Sequence, residues 1–290
     1  MTLLQTTESL CRKHGITPQR SKGQNFLIDE AAYAAMIQVA ALRPEDIILE
    51  VGPGLGFLTE RLARRVQKVY AVELDNGLAS VLPKRLAEEG ITNVTVFNED
   101  ILNFSGRFAT ELKAAGTFSV VANLPYNISS YFLRKFVSGN EGDILPDNLT
   151  LMLQKEVGER LAAHPGDMSI LSVSVQFYAR VILSTPVPAA SFWPAPQVGS
   201  IIVRLERAGT YSEQLASLGF SEKEFFRLIK IGFSARRKML KANLAAGFHI
   251  PQPRALELVA AAHIKPTARP QELSLKEWLS LIVACREFVV

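Results

Sequence analysis

Three glycines at alternate positions, Gly52, Gly54 and Gly56, follow directly on an apolar run that ends Leu49-Glu50-Val51. Backbone without side chains at the start of a helical pattern over 57–66 can approach a ligand closely and offer it N–H groups. Nicotinamide and flavin enzymes use glycine turns too, so the turn alone does not name the ligand. The acids around it narrow the chemistry. Glu50 stands two residues before the first glycine, where it would repel a pyrophosphate. Glu73 ends the next apolar run, 21 residues beyond Gly52, close to the interval of about 20 at which an acid holds ribose hydroxyls. Asp100 follows a third run, and Asn123-Leu124-Pro125-Tyr126 follows a fourth. An acidic lining suits a cationic, adenosine-bearing ligand such as S-adenosylmethionine better than a dinucleotide.

These residues need a scaffold that brings strand ends together. Apolar runs at 47–51, 68–72, 94–97, 118–122 and 150–154 read as strands, with helical patterns at 57–66, 76–89, 108–115, 129–137 and 155–163 between or after them. Strands alternating with helices predict an open parallel sheet, and the carboxyl ends of such strands line the ligand crevice. Asp29 is a helix N-cap for 30–42. The polar stretch 1–22 reads, on charge alone, as a solvated tail. At 168–178, Leu171, Val173, Val175 and Phe177 alternate as in a strand, although the length suits a helix; pattern favours strand. Strands at 180–185 and 200–205 flank the loop Ser191-Phe192-Trp193-Pro194. Residues 206–220, with Gly209, Ser212, Ser217 and Gly219, read as a linker. Beyond it the pattern is helical, with capping boxes at Ser221/Glu224 and Ser274/Glu277.

With 290 residues, 48% of them hydrophobic, the chain has enough apolar material for an α/β domain and a smaller second one. The excess of 32 basic over 28 acidic residues is compatible with a polyanionic partner without requiring one. Cys11 and Cys285 show no CxxC spacing, so neither a disulfide framework nor a metal site is expected. No apolar run approaches the ~18 residues of a membrane span, and the first 25 residues lack the core of a secretory signal. The expectation is a cytoplasmic protein.

Asn-Leu-Pro-Tyr resembles the Asn/Asp-Pro-Pro/Leu-Pro-Tyr/Phe motif of amino-group methyltransferases. Further motifs sharpen this: Gly-Gln-Asn-Phe-Leu at 23–27, Glu-Val-Gly-Pro-Gly at 50–54, Asn-Leu-Pro-Tyr-Asn-Ile-Ser at 123–129, Leu-Gln-Lys-Glu-Val at 153–157 and Arg-Arg-Lys at 236–238. Together, and over nearly the whole chain, they resemble the bacterial small-subunit (16S) ribosomal RNA adenine N6,N6-dimethyltransferases, the kasugamycin-sensitivity family. The resemblance implies a Rossmann-like methyltransferase sheet over 1–208 and a small all-helical domain over 209–290 that grips RNA.

It also implies roles. Asn25, Leu27, Glu50, Gly52, Gly54, Glu73, Asp100 and Asn123 would contact S-adenosylmethionine, so 24–27 would fold over the cofactor rather than dangle. Asn123, Leu124, Pro125, Tyr126 and Phe192 would hold the adenine, and Arg20, Lys22, Arg236, Arg237, Lys238 and Lys241 would track phosphates. The implied substrate is an immature small ribosomal subunit, met by a monomer that methylates two adjacent adenosines near the 3′ end of its RNA. The family's usual lysine and its tyrosine-arginine pair are replaced at Gln197 and within 168–172, which bears on substrate docking. Rival readings are the large-subunit (23S) methyltransferases of macrolide resistance and a non-catalytic assembly or organellar transcription factor.

Overall fold

A computed structural model describes residues 1–19, 23–103, 106–138 and 145–289. The chain opens with helix α1 (Leu3–His14), strand β1 (Phe26–Leu27) and helix α2 (Glu30–Ala40). Alternation then sets in through β2 (Ile47–Val51), α3 (Phe57–Ala63), β3 (Lys68–Val72), α4 (Asn76–Glu88), β4 (Val94–Phe97), α5 (Arg107–Ala115) and β5 (Ser119–Asn123). Helix α6 (Ser129–Leu133) runs into a π-helical turn, Arg134–Ser138, before β6 (Asn148–Gln154). Next come α7 (Lys155–Leu161), α8 (Ile170–Tyr178), β7 (Ala179–Val187), β8 (Phe192–Trp193) and β9 (Ser200–Arg207). The α-helices that follow are α9 (Thr210–Ser217), α10 (Glu222–Gly232), α11 (Leu240–Phe248), α12 (Gln252–Ala261), α13 (Leu275–Ala284) and α14 (Arg286–Val289).

Seven strands form one sheet in the order β4-β3-β2-β5-β6-β9-β7. The pairs β4/β3, β3/β2, β2/β5 and β5/β6 are parallel, and β6/β9 is antiparallel. Parallel strands covered on both faces must be apolar throughout, and Ile48, Leu49, Val120, Ala122, Leu151 and Leu153 are fully buried. The chain moves outward from β2 to β4 and then returns to the other side of β2 with β5, so the direction of winding reverses between β2 and β5. Their ladder runs through Ile48–Ser119 and Leu49–Val120 and stops one residue short of Glu50. A reversal of this kind leaves a crevice at the carboxyl ends of the strands. A second, two-stranded sheet pairs β1 with β8, Phe26 opposite Trp193 and Leu27 opposite Phe192.

The chain packs as two compact units, Met1–Gly158 with Val181–Arg207, and Glu159–Arg180 with Ala208–Val290. The first carries the parallel strands. In the second, Phe177 of α8 stacks on Phe225 of α10 with ring centroids 4.8 Å apart, Phe233 stacks on Trp278 at 5.6 Å, and the Tyr178 hydroxyl donates to Glu222 over 2.6 Å. Residues 159–180, which the sequence puts with the sheet domain, thus pack with the C-terminal helices.

Three segments depart from expectation. The polar N-terminal stretch contains α1, opened by a capping box of Thr2 and Gln5, closed by left-handed Gly15, and held by buried Thr7 and Cys11. Its basic residues Arg12, Lys13 and His14 occupy the last turn, where positive charge complements the helix dipole. The alternating 168–178 segment is helix α8. Ser172, Val173, Val175, Phe177 and Tyr178 are all buried, and a helix apolar on nearly every side satisfies either periodicity. Ser169 decides it: its hydroxyl accepts the Ser172 N–H while the Ser172 hydroxyl accepts the Ser169 N–H. The expected linker holds helix α9, anchored by buried Leu215; Gly209 is its N-cap, Ser212 and Ser217 lie within it and left-handed Gly219 follows its C-cap, so none of them is spacer.

Removing that reciprocal cap should be felt. Ser169→Ala is expected to lower the stability of the helical unit by about 0.5–2 kcal/mol, read as a lower urea midpoint with an unchanged slope.

Candidate cofactor and base pocket

The crevice between β2 and β5 is a cavity of about 390 Å³ within the first unit. The turn after β2 forms its floor. Gly52 and Gly54 hold φ of 64° and 57°, conformations that side chains rarely tolerate. A Cβ on Gly52 would sit 3.4 Å from the Pro125 ring, and one on Gly54 would press to 3.2 Å from Phe26. Bare backbone here is what lets both neighbours close on the cavity. Gly56 then caps α3, and Gly52 donates its N–H to the Val72 carbonyl over 2.9 Å, tying the turn to β3.

Glu73, at the end of β3, is 7% exposed, and its two oxygens accept N–H bonds from Gly54 (3.1 Å) and Asp75 (2.9 Å). Burial raises its pKa and those two N–H groups oppose the rise. Glu50 is 1% exposed, and among the described residues its Oε2 has no hydrogen-bond partner. Burial is the main cause that pushes its carboxyl up to about 8, partly offset by the neighbouring Thr59 hydroxyl and reinforced by Glu73. Asp100 is exposed and accepts the Leu102 N–H over 2.9 Å while lining the same cavity.

Asn123, Leu124, Pro125 and Tyr126 enter from the end of β5. The Leu124 N–H donates to the Met152 carbonyl, which fixes the turn to β6. The Tyr126 hydroxyl and Ser200 Oγ lie 2.7 Å apart, and burial raises the phenol's pKa. The third wall is the β1/β8 pair, with Phe26 and Leu27 on one strand, Asn25 just before it, and Phe192 on the other. Ser191 Oγ donates to Asp29 Oδ2 over 2.7 Å and Ile28 N–H donates to the Ser191 carbonyl over 2.8 Å, so the two segments are pinned beside their pairing. Gln24 reaches across to Asp75 Oδ2 over 3.2 Å.

All the residues expected around cofactor and base therefore line one cavity: Asn25, Leu27, Glu50, Gly52, Gly54, Glu73, Asp100, Asn123, Leu124, Pro125, Tyr126 and Phe192. Of the expected phosphate contacts, Arg236, Arg237 and Lys238 lie exposed in the turn between α10 and α11, and Lys241 in the first turn of α11. Buried Asn243 fixes that turn by donating to the Gly232 and Ala235 carbonyls. Arg20 and Lys22 lie outside the described residues. Sequence reasoning missed Leu74, Asp75 and Ile101 as cavity residues. Leu74 is 67% exposed and Ile101 buried, each directly after a strand-end acid, and an apolar residue at that offset is a signal that could have found them. It also missed Asn243, whose amide carries no local pattern.

The parallel sheet, the glycine turn at its winding reversal and acids at successive strand ends define a Rossmann-like methyltransferase architecture. Residues 17–285 match the family described as "Ribosomal RNA adenine dimethylase". The chain is 37% identical over 286 residues to the ribosomal RNA small subunit methyltransferase A of Dehalococcoides mccartyi, covering 99% of this chain and 94% of that one. Its structure is similar to a dimethyladenosine transferase from Plasmodium falciparum (TM-score 0.75, 26% identity, 90% of this chain and 98% of that one). It is also similar to the 23S rRNA methyltransferase ErmE (TM-score 0.68, 26% identity, 90% and 99%). The chain belongs to the ribosomal RNA adenine dimethylase family and is a methyltransferase. Among the described residues no helix is long and apolar enough to cross a membrane.

Glu50 sets a pH dependence. Its carboxyl moves from 4.5 up to about 8 on folding, so the neutral form is favoured. The stabilisation is complete below the unfolded value and is lost as pH rises through the folded one. Ligand-free protein should lose stability between about pH 5 and about pH 8 relative to Glu50→Gln, which differential scanning calorimetry of the two proteins across that window would register.

Proposed function

We propose that this protein transfers methyl groups from S-adenosylmethionine to N6 of two adjacent adenosines in a hairpin near the 3′ end of 16S ribosomal RNA. Its substrate is an immature small subunit, and it works as a cytoplasmic monomer. The observation that carries the reading is that Asn123-Leu124-Pro125-Tyr126 opens into the same cavity as the glycine turn. The residues fit the cofactor: Gly52 and Gly54 let Pro125 and Phe26 close on the cavity as its walls, and the Glu50 oxygen that has no partner among the described residues offers a counter-charge. Glu73 would accept from its ribose hydroxyls and Asp100 from its adenine amine, while Asn25 and Leu27 cover it.

Bound there, S-adenosylmethionine supplies an electrophilic methyl group. The chain's task is to present an amine whose lone pair is delocalised into a ring. Asn123 Oδ1 and the Leu124 carbonyl accept the two N–H bonds of the adenine, aim N6 and stabilise positive charge as it develops on nitrogen. No base has to act before the transfer. Pro125 brings no competing N–H. Tyr126, steadied through Ser200, stacks on one face of the extruded base and Phe192 covers the other. The helical unit grips the RNA backbone through Arg236, Arg237, Lys238 and Lys241.

The likeness to ErmE supports a second reading, methylation of one adenosine in 23S RNA. Labelled S-adenosylmethionine with unmethylated small or large subunits, followed by mapping of dimethyladenosine, separates the two. Label in the small subunit is expected, and label confined to the large subunit overturns the assignment.

Asn123→Ala should reduce turnover at least about a hundredfold while cofactor affinity stays within about tenfold, because the amide acts chiefly on the transition state. Single-turnover kinetics beside calorimetric binding would check both. Charge reversal at Arg236 and Arg237 should weaken small-subunit binding and flatten its dependence on salt; an unchanged slope in filter binding would remove this turn from the RNA interface.

A further inference from the structure

Two carboxylates reach the cavity from adjacent strands, and the protein treats them differently. Glu73 is supplied with two backbone donors, from Gly54 and Asp75. Glu50, whose strand neighbour is Ala71, is the more deeply buried of the two, and its Oε2 has no partner among the described residues.

The groups around Glu50 offer no counter-charge. From α3 comes Thr59, whose uncharged hydroxyl offsets the burial of Glu50 only in part. From α2 comes Tyr33, whose hydroxyl donates to the Leu27 carbonyl, and from the end of β3 comes Glu73. The end of β4 brings Asp100 to the cavity and the end of β5 brings the neutral amide of Asn123. The guanidinium groups of this region are engaged elsewhere. Arg61 of α3 pairs with Glu30 and lies 4.5 Å over the Tyr33 ring, while Arg85 of α4 pairs with Glu60 and donates to the Leu55 carbonyl.

A buried carboxylate without a partner is costly, and such a group holds its proton until a positive charge arrives. The burial that pushes this carboxyl up to about 8 has the same sense. A fixed cation entering the cavity would be that partner.

We propose that Glu50 couples binding of the cationic cofactor to release of one proton, and thereby makes the pocket favour the sulfonium cofactor over its neutral thioether product. The inference rests on reading the cavity as an S-adenosylmethionine site. On binding, the carboxyl O–H bond breaks and the proton passes to solvent, leaving carboxylate opposite sulfonium. On transfer, the S–CH3 bond breaks as the N–CH3 bond forms, and the positive charge moves from sulfur to nitrogen. The methylated amine then gives up its own proton to solvent. Glu50, now a buried carboxylate facing a neutral thioether, takes a proton back from solvent, and the product is held less tightly. One proton leaves and one returns at Glu50 in each cycle.

Titration calorimetry on the full chain and on Glu50→Gln tests this, using S-adenosylmethionine and S-adenosylhomocysteine in two buffers of different ionisation enthalpy near pH 7. The wild-type protein should release about one proton more than the variant on binding S-adenosylmethionine, with no excess on binding S-adenosylhomocysteine. From about pH 6 to about pH 7, below the titration of the cofactor's amino group, its affinity for wild type should rise about tenfold, while that of S-adenosylhomocysteine stays level. Equal proton counts in wild type and variant, or an equal excess with both ligands, overturn the coupling. If Glu50→Gln does not fold, the wild-type comparison decides alone, and parallel profiles for the two ligands overturn it. Failure of either ligand to bind wild type overturns the cofactor reading itself, and the coupling with it.

Discussion

The crevice exists because β2 and β5 stop pairing one residue before Glu50. Up to Leu49 the two strands satisfy each other's backbone and bury apolar side chains on both faces, as central strands of a parallel sheet must. Beyond it each chain turns away. Gly52 ties back to β3 and Leu124 to β6, so the separated ends are anchored to their outer neighbours rather than to each other. Floor, acids and Asn-Leu-Pro-Tyr turn all follow from that separation, since none of them could face a common space while the ladder continued.

The two sides of the opening have different chemistry for a physical reason. On the β2/β3 side stand two buried carboxylates, Glu73 bonded to backbone N–H groups and Glu50 with an oxygen that has no partner among the described residues, a setting for a ligand carrying hydroxyls and positive charge. On the β5 side, a proline-stiffened turn contributes an amide, a carbonyl and an aromatic ring, a setting for a flat heterocycle with an amino group. Asn243 does in the helical unit what Ser200 does in the sheet unit. Each is a small buried polar residue that holds in place a neighbouring group able to face a ligand.

What could be read from the sequence was local. Strand ends, the glycine turn and the capping boxes at Ser221 and Ser274 are encoded over a few residues, and the elements formed there agree with the patterns. The gathering of Glu73, Asp100 and Asn123 around one space follows from the strand-end rule for parallel sheets. Phe192 could be placed only through family resemblance, because its pairing partner Leu27 lies far away in the chain. The misread segments share a cause as well. Helix α8 is buried on nearly all sides, so alternation carried no information about its period, and α1 and α9 are helices whose polar residues dominate their composition. Burial was the missing variable in each, and burial is decided by tertiary contacts.

The β1/β8 pairing makes one piece of wall out of two remote segments. Phe26 presses against Gly54, while Phe192, next to the residue paired with Phe26, lines the same cavity. Mutation on either segment is therefore transmitted to the other. An added side chain at Gly54 would push Phe26 by a few tenths of an ångström, and the pairing of Phe26 with Trp193 joins that residue to the segment carrying Phe192. In the proposed use of the cavity, cofactor affinity and base selection would share a single mechanical part, and a change in one would constrain the other.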